Sequence, residues 1–109
     1  MEPIQISRPT INWKEQLDDG SAFFTEEIII ESDKLIDNYL DALQKATNEH
    51  AIWKAIEAVV KAFDKLNIDL DYFIDTMERE DLAEYIQKAA EAAGLFYDGD
   101  VTEEWREEW

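Results

Sequence analysis

The chain has 109 residues, with 27 Asp and Glu against 10 Lys and Arg, and a formal net charge of -17. That length suits one domain with a modest core, and a hydrophobic content of 46% separates it from disordered acidic chains, which are poor in large apolar residues. Three Gly and two Pro argue against a many-turned all-β fold, and the absence of Cys excludes a disulfide scaffold, a thiolate zinc site and a cysteine nucleophile.

Residues 1–21 read as an irregular arm. Pro3 and Pro9 each remove a backbone donor and push the preceding residue toward extended geometry. Thr10 is placed to cap one or two helical turns over Ile11 to Leu17, which Asp18-Asp19-Gly20 would stop. The helical core is expected over residues 25–93. Thr25 is the N-cap of its first helix, Glu26 and Glu27 favour the positive helix end, and Phe24 and Ile29 have the spacing of a hydrophobic staple. Ile29, Ile36 and Leu43, joined by Ile28, Leu35, Tyr39 and Leu40, form one apolar stripe ending near Ala46. Ile28-Ile29-Ile30 alone also suits a strand, but the stripe that follows favours helix.

Asn48 caps a second helix whose buried face is Ile52, Ala55, Ile56, Val59, Val60, Phe63 and Leu66. The connection is so short that the two helices should form an antiparallel hairpin. Asn67 to Ile74 then alternates polar and apolar residues, which predicts an extended or looped stretch with Ile68, Leu70 and Tyr72 turned inward. Asp75 and Glu78 have capping-box spacing for a third helix, buried through Leu82, Ile86, Ala89 and Ala93 and flanked by Tyr85 and Ala90. Gly94 and Leu95 suit its left-handed end and the apolar contact behind it. In the tail, 96–109, Thr102 is placed to cap a short helix from Glu103 to Glu108. Trp105 and Trp109 would then face one side and tie the tail down.

The acidity is polarised, since residues 67–109 hold 14 acids and 3 bases. Such a chain repels nucleic-acid phosphate and anionic membrane surfaces, so neither is an expected partner. With no apolar run of membrane-spanning length and no signal-peptide pattern over Met1 to Pro9, a soluble cytoplasmic protein is expected.

Three segments carry a resemblance: Asp75-Thr76-Met77-Glu78-Arg79-Glu80-Asp81-Leu82, Ala92-Ala93-Gly94-Leu95, and Asp100-Val101-Thr102-Glu103-Glu104-Trp105-Arg106-Glu107-Glu108-Trp109. Over roughly residues 35–109 the chain resembles uncharacterised small acidic bacterial helical proteins that end in a Thr-Glu-Glu-Trp-Arg-Glu-Trp-like tail. Here two Glu, rather than one, separate Arg106 from the final Trp. The resemblance implies a helical fold and a bacterial origin, and it carries over no catalytic residue.

The sharpest chemical pattern is an EF-hand-like series, with Asn67, Asp69, Asp71, Asp75 and Glu78 at the spacing of calcium ligands between two helices. Tyr72 stands where that loop needs Gly, because positive φ is costly for a bulky side chain. The competing reading is a loop that simply solvates its aspartates. Arg79 and Arg106 sit among acids and read as ion-pair partners, with Arg79 a candidate link between its helix and the tail. His50 has no Ser–His–acid or two-His spacing around it and reads as a surface residue. Trp53 lies at the edge of its stripe, where an aromatic often anchors a protein contact.

The sequence therefore predicts an all-α single domain, 1–109, a helical bundle of three main helices with short terminal helices. The expected function is non-enzymatic and uses no cofactor: an acidic interaction module for a basic protein. An immunity or inhibitor protein against a basic toxin or nuclease is its concrete version. The partner face is expected at Asp69, Asp71, Glu78, Asp81 and Glu84, extended by the tail acids. Two alternatives stand beside it: a divalent-cation-binding protein using residues 67–78, and a purely structural or oligomerising helical domain.

Overall fold

The computed structural model describes residues 4, 7–20 and 24–109. The expectation for Pro3 lies outside the described residues. Four helices follow in order, α1 (Pro9–Asp18), α2 (Glu26–Lys45), α3 (Glu49–Asp69) and α4 (Thr76–Ala92), and the described residues contain no strand. No helix among them is long and apolar enough to cross a membrane.

α2 and α3 form the expected hairpin. The Thr25 hydroxyl oxygen accepts from Ile28 N at 3.2 Å, and Asn48 Oδ1 accepts from Ala51 N at 2.8 Å, so each side chain satisfies a donor that the first helical turn leaves free. The two stripes meet in the core, where Ile36, Tyr39, Leu43, Ile56, Val60 and Phe63 are all buried. Tyr39 donates its hydroxyl to the Ile86 carbonyl at 2.7 Å, which joins α2 to α4 and satisfies a polar group deep in the interior.

α4 starts and stops as its sequence dictates. Glu78 Oε1 accepts from Asp75 N at 3.0 Å in a complete capping box. At its end Gly94 has φ +110°, Leu95 N donates to Ala90 O at 2.9 Å and Gly94 N to Glu91 O at 2.9 Å. That is a Schellman closure, and Leu95 is buried behind it. Leu82, Tyr85, Ile86, Ala89 and Ala90 are buried as expected, while Ala93 is only half-buried.

The N-terminal arm is more regular than its prolines suggest. α1 begins at Pro9, whose fixed φ suits the first helical position and whose missing N–H is one the helix start would leave free in any case. Arg8, not Thr10, is the N-cap residue. Thr10 lies inside the helix, buried, and donates its hydroxyl to Asp33 Oδ1 at 2.5 Å. Arg8 Nη2 reaches Asp37 at 2.5 Å, so two side chains of this arm are bonded to the polar flank of α2. Trp13 is fully buried, stacked on Phe24 at 5.6 Å between ring centres and edge-on to Phe73 at 6.0 Å.

Two further expectations are overturned. α3 continues through Asn67 to Asp69, because Asn67 falls on the row of Ile56, Val60 and Phe63; one buried polar residue in that row imitates the end of the helix. The chain then reverses through Asp71 (φ 61°) and Tyr72 (φ 57°), which brings Phe73 and Ile74 into the core. Ile68 and Tyr72 are exposed instead, and Leu70 is half-buried. Tyr72 thus adopts the left-handed conformation that its bulk disfavours.

The second correction is the tail, which is a series of turns and not a helix. Asp100, not Thr102, caps it: Asp100 Oδ1 accepts from Thr102 N at 2.9 Å and from Thr102 Oγ1 at 2.6 Å. Three long helices plus one ten-residue helix therefore make the bundle, with no helix at the C-terminal side.

Candidate functional site

The five residues expected to form the partner face do not act together. Glu78 is buried and bonded within the capping box, so it belongs to the start of α4 and not to an open surface. Asp69 and Asp71 are exposed at the corner where α3 ends, and Asp71 is one of the two left-handed residues there. Asp81 and Glu84 lie one turn apart on α4 and line a cleft of about 350 Å³ together with Glu15 and Arg8. Burial pushes the Asp81 carboxyl above the ordinary carboxylate range, and the charges of Glu84 and Glu80 add to that push.

The calcium-like series is not gathered around a common point. Asn67 is fully buried, where its Nδ2 donates to Glu108 O at 2.6 Å and its Oδ1 accepts from Ile74 N at 2.8 Å. Asp75 accepts from Thr76 N at 2.8 Å, and Glu78 caps Asp75. Three of the five proposed ligands are thus engaged by the fold itself. Among the described residues no group of three His, Asp or Glu side chains is arranged to hold a metal ion.

Most of the cationic charge is neutralised internally. Arg8, Lys14, Lys34, Lys45, Lys61, Lys88 and Arg106 all pair with carboxylates of this chain. From Asp69 onward only Glu91 and Asp100 receive such a partner among the described residues. Of the other twelve, Asp69, Asp71, Asp75, Glu80, Glu84, Asp98, Glu103, Glu104, Glu107 and Glu108 are exposed, Asp81 is half-buried and Glu78 is buried in its helix cap. Arg79 makes no ion pair among the described residues, so the expected link to the tail does not form. Arg106 does, reaching Asp100 Oδ2 at 3.0 Å with its guanidinium carbon 5.7 Å from the Trp109 ring centre.

The tail instead lies along α3. Asp64 Oδ1 accepts from the main-chain N–H groups of Glu107 and Glu108 at 3.1 and 3.0 Å. Trp109 is buried, tilted against Phe63 at 6.3 Å, with its Nε1 donating to Val60 O at 3.4 Å. Trp105 goes elsewhere, to Trp53 at 5.9 Å. The two tail tryptophans do not share a face, because the turn geometry removes the four-residue spacing of a helix.

That second contact builds a site the sequence did not reveal as one. Trp53 near the start of α3, Tyr97 after the α4 closure and Trp105 in the tail line an open groove of about 430 Å³. Tyr97 stands at 88° to Trp53 with ring centres 5.1 Å apart, and Trp105 at 58° to it. Glu104 and Glu57 stand on its rim, and His50 and Lys54 complete the α3 side. His50 is exposed there, as expected of a surface residue. The Lys61 ammonium, bonded at 2.7 Å, holds the Glu57 carboxyl below its ordinary range, and the Lys54 charge adds to this. Phe96, the most exposed large apolar residue at 81%, precedes Tyr97. Trp53 at a stripe edge was the only signal in the sequence, since 44 and 52 positions separate it from Tyr97 and Trp105.

Comparison with protein-family models, curated proteins and solved structures finds no match to this chain.

Proposed function

We propose that this protein is a non-enzymatic acidic interaction module that captures a basic protein by charge. The observation that carries the reading is the unpaired acidity of α4 and the tail, where eight carboxylates besides the capping Glu78 form no ion pair among the described residues, while seven of the ten basic residues are already paired with carboxylates of this chain. A surface of that kind raises association rates with a basic partner by long-range steering. The candidate carboxylates are Asp81 and Glu84 on α4, the exposed Asp69 and Asp71 at the α3 end, and Glu103, Glu104, Glu107 and Glu108 of the tail, which act through their summed field and not as one contiguous patch; Glu78 is withdrawn into its helix cap. An immunity or inhibitor protein covering a basic toxin or nuclease in the bacterial cytoplasm is the concrete form.

The test is capture of basic proteins from native lysate, followed by association kinetics with the captured protein. Wild type and the Asp81→Lys, Glu84→Lys double variant are compared at low and high salt. Wild type should associate faster at low salt, with the difference fading as the screening length falls below about 8 Å, and the variant should associate more slowly without unfolding. Equal association by both proteins removes Asp81 and Glu84 from consideration.

A further inference from the structure

We infer that the groove between Trp53, Tyr97 and Trp105 is an arginine-binding site, the anchor for one guanidinium side chain of the basic partner. The inference rests on the acidic-module reading for the source of the arginine, and on the groove itself for the chemistry.

Tyr97 and Trp105 pack directly on Trp53, at 5.1 and 5.9 Å between ring centres, so the three rings form one continuous aromatic surface, and the groove lies against that surface and is not filled by the chain's own side chains. Each ring carries negative potential on its face, which attracts a cation without requiring a formal charge in the groove. Among natural cations the guanidinium is the flat, weakly hydrated one, able to lie against an indole while its edge N–H groups reach outward. The rim supplies an acceptor for that edge. Glu104 is exposed and has no cationic partner among the described residues. Glu57 is already bonded to Lys61, and Lys54 stands on the same side, so the open carboxylate lies on the tail side of the groove. A neutral apolar side chain would fill the same space but would gain nothing from Glu104 or from a chain of charge -17.

The fold explains why this groove persists. Its third ring is carried by the tail, which Asp64, Asn67 and Trp109 fasten to α3, so Trp105 is positioned by contacts that lie outside the groove. The tail therefore presents both an aromatic ring and its acidic neighbour to one ligand.

The experiment uses the full chain and two capped tripeptides, acetyl-Gly-Arg-Gly-amide and its citrulline counterpart, which keeps the shape and removes the charge. Binding is followed through the indole N–H signals of Trp53 and Trp105 by NMR. The arginine peptide should shift both signals saturably and bind roughly two- to five-fold tighter than the citrulline peptide, the range for a partly exposed cation–π contact. Trp105→Leu should abolish the response, with unchanged Trp13 and Trp109 signals reporting an intact fold. Glu104→Gln, which leaves the packing alone, should reduce the preference for arginine over citrulline. Equal binding of the two peptides, absence of any saturable shift, or a response that survives Trp105→Leu overturns the assignment. The Asp81→Lys, Glu84→Lys variant should keep its arginine response, since neither residue lines the groove. Loss of arginine preference thus refutes the groove alone, while undiminished partner association by that variant refutes the acidic steering alone.

Discussion

Asn67 and Glu108 are joined across 41 positions of sequence by a hydrogen bond of 2.6 Å from the Asn67 carboxamide to the Glu108 carbonyl. The same side chain accepts from Ile74 N, so one fully buried residue ties the end of α3 to both the segment before α4 and the tail. A carboxamide, with a donor on one atom and an acceptor on the other, is the chemistry such a double junction requires.

Asn67→Ala should accordingly destabilise the protein by about 2–4 kcal/mol, through loss of both bonds and burial of an unpaired Ile74 N–H. Urea unfolding measures it. Amide exchange in residues 105–109 should accelerate beyond what the global loss explains, because the tail loses one of its fastenings. Asp64→Ala should accelerate the same amides, since Asp64 holds Glu107 N and Glu108 N. A cost below about 0.5 kcal/mol for Asn67→Ala would show that the junction contributes little.

Tyr72→Gly should stabilise the protein. Tyr72 is 59% exposed and sits at φ 57°, so glycine removes a left-handed penalty of about 1–2 kcal/mol and gives up little packing. The greater freedom of glycine in the unfolded chain offsets about 0.5–1 kcal/mol of that gain. A net increase of about 0.5–1 kcal/mol in denaturant unfolding is expected, and a decrease would mean that the Tyr72 ring makes contacts worth more than the strain.

Asp81→Asn should raise the melting temperature at pH 7 and leave it unchanged near pH 3. Burial, with Glu84 and Glu80 adding to it, raises the folded-state pKa of Asp81 above the unfolded value. The folded state therefore binds the proton more tightly than the unfolded chain. Ionised Asp81 weakens the fold above the folded pKa, the effect vanishes below the unfolded pKa, and stability falls as pH rises between the two. Asparagine removes that dependence. Melting curves of both proteins from pH 3 to pH 7 should converge at the acid end and separate toward neutrality; parallel curves would contradict the assignment.

Much of the helical framework was determined by the sequence alone. The caps at Thr25, Asn48 and Asp75 and the glycine end at Gly94 are local chemistry, in which a side chain or a backbone angle answers groups within five residues of itself. The apolar stripes of α2, α3 and α4 likewise need only the period of a helix to be read. The tertiary structure decided whatever depends on residues distant in sequence. Asn67 breaks the apolar pattern yet continues α3, because Glu108 and Ile74 satisfy its carboxamide in the core. Tyr72 takes a disfavoured backbone angle so that Phe73 and Ile74 can be buried. Glu78, one of many acids by composition, became part of a helix cap and left the candidate surface. The groove of Trp53, Tyr97 and Trp105 exists only once the tail lies on α3, since no local rule places three rings from three segments along one groove.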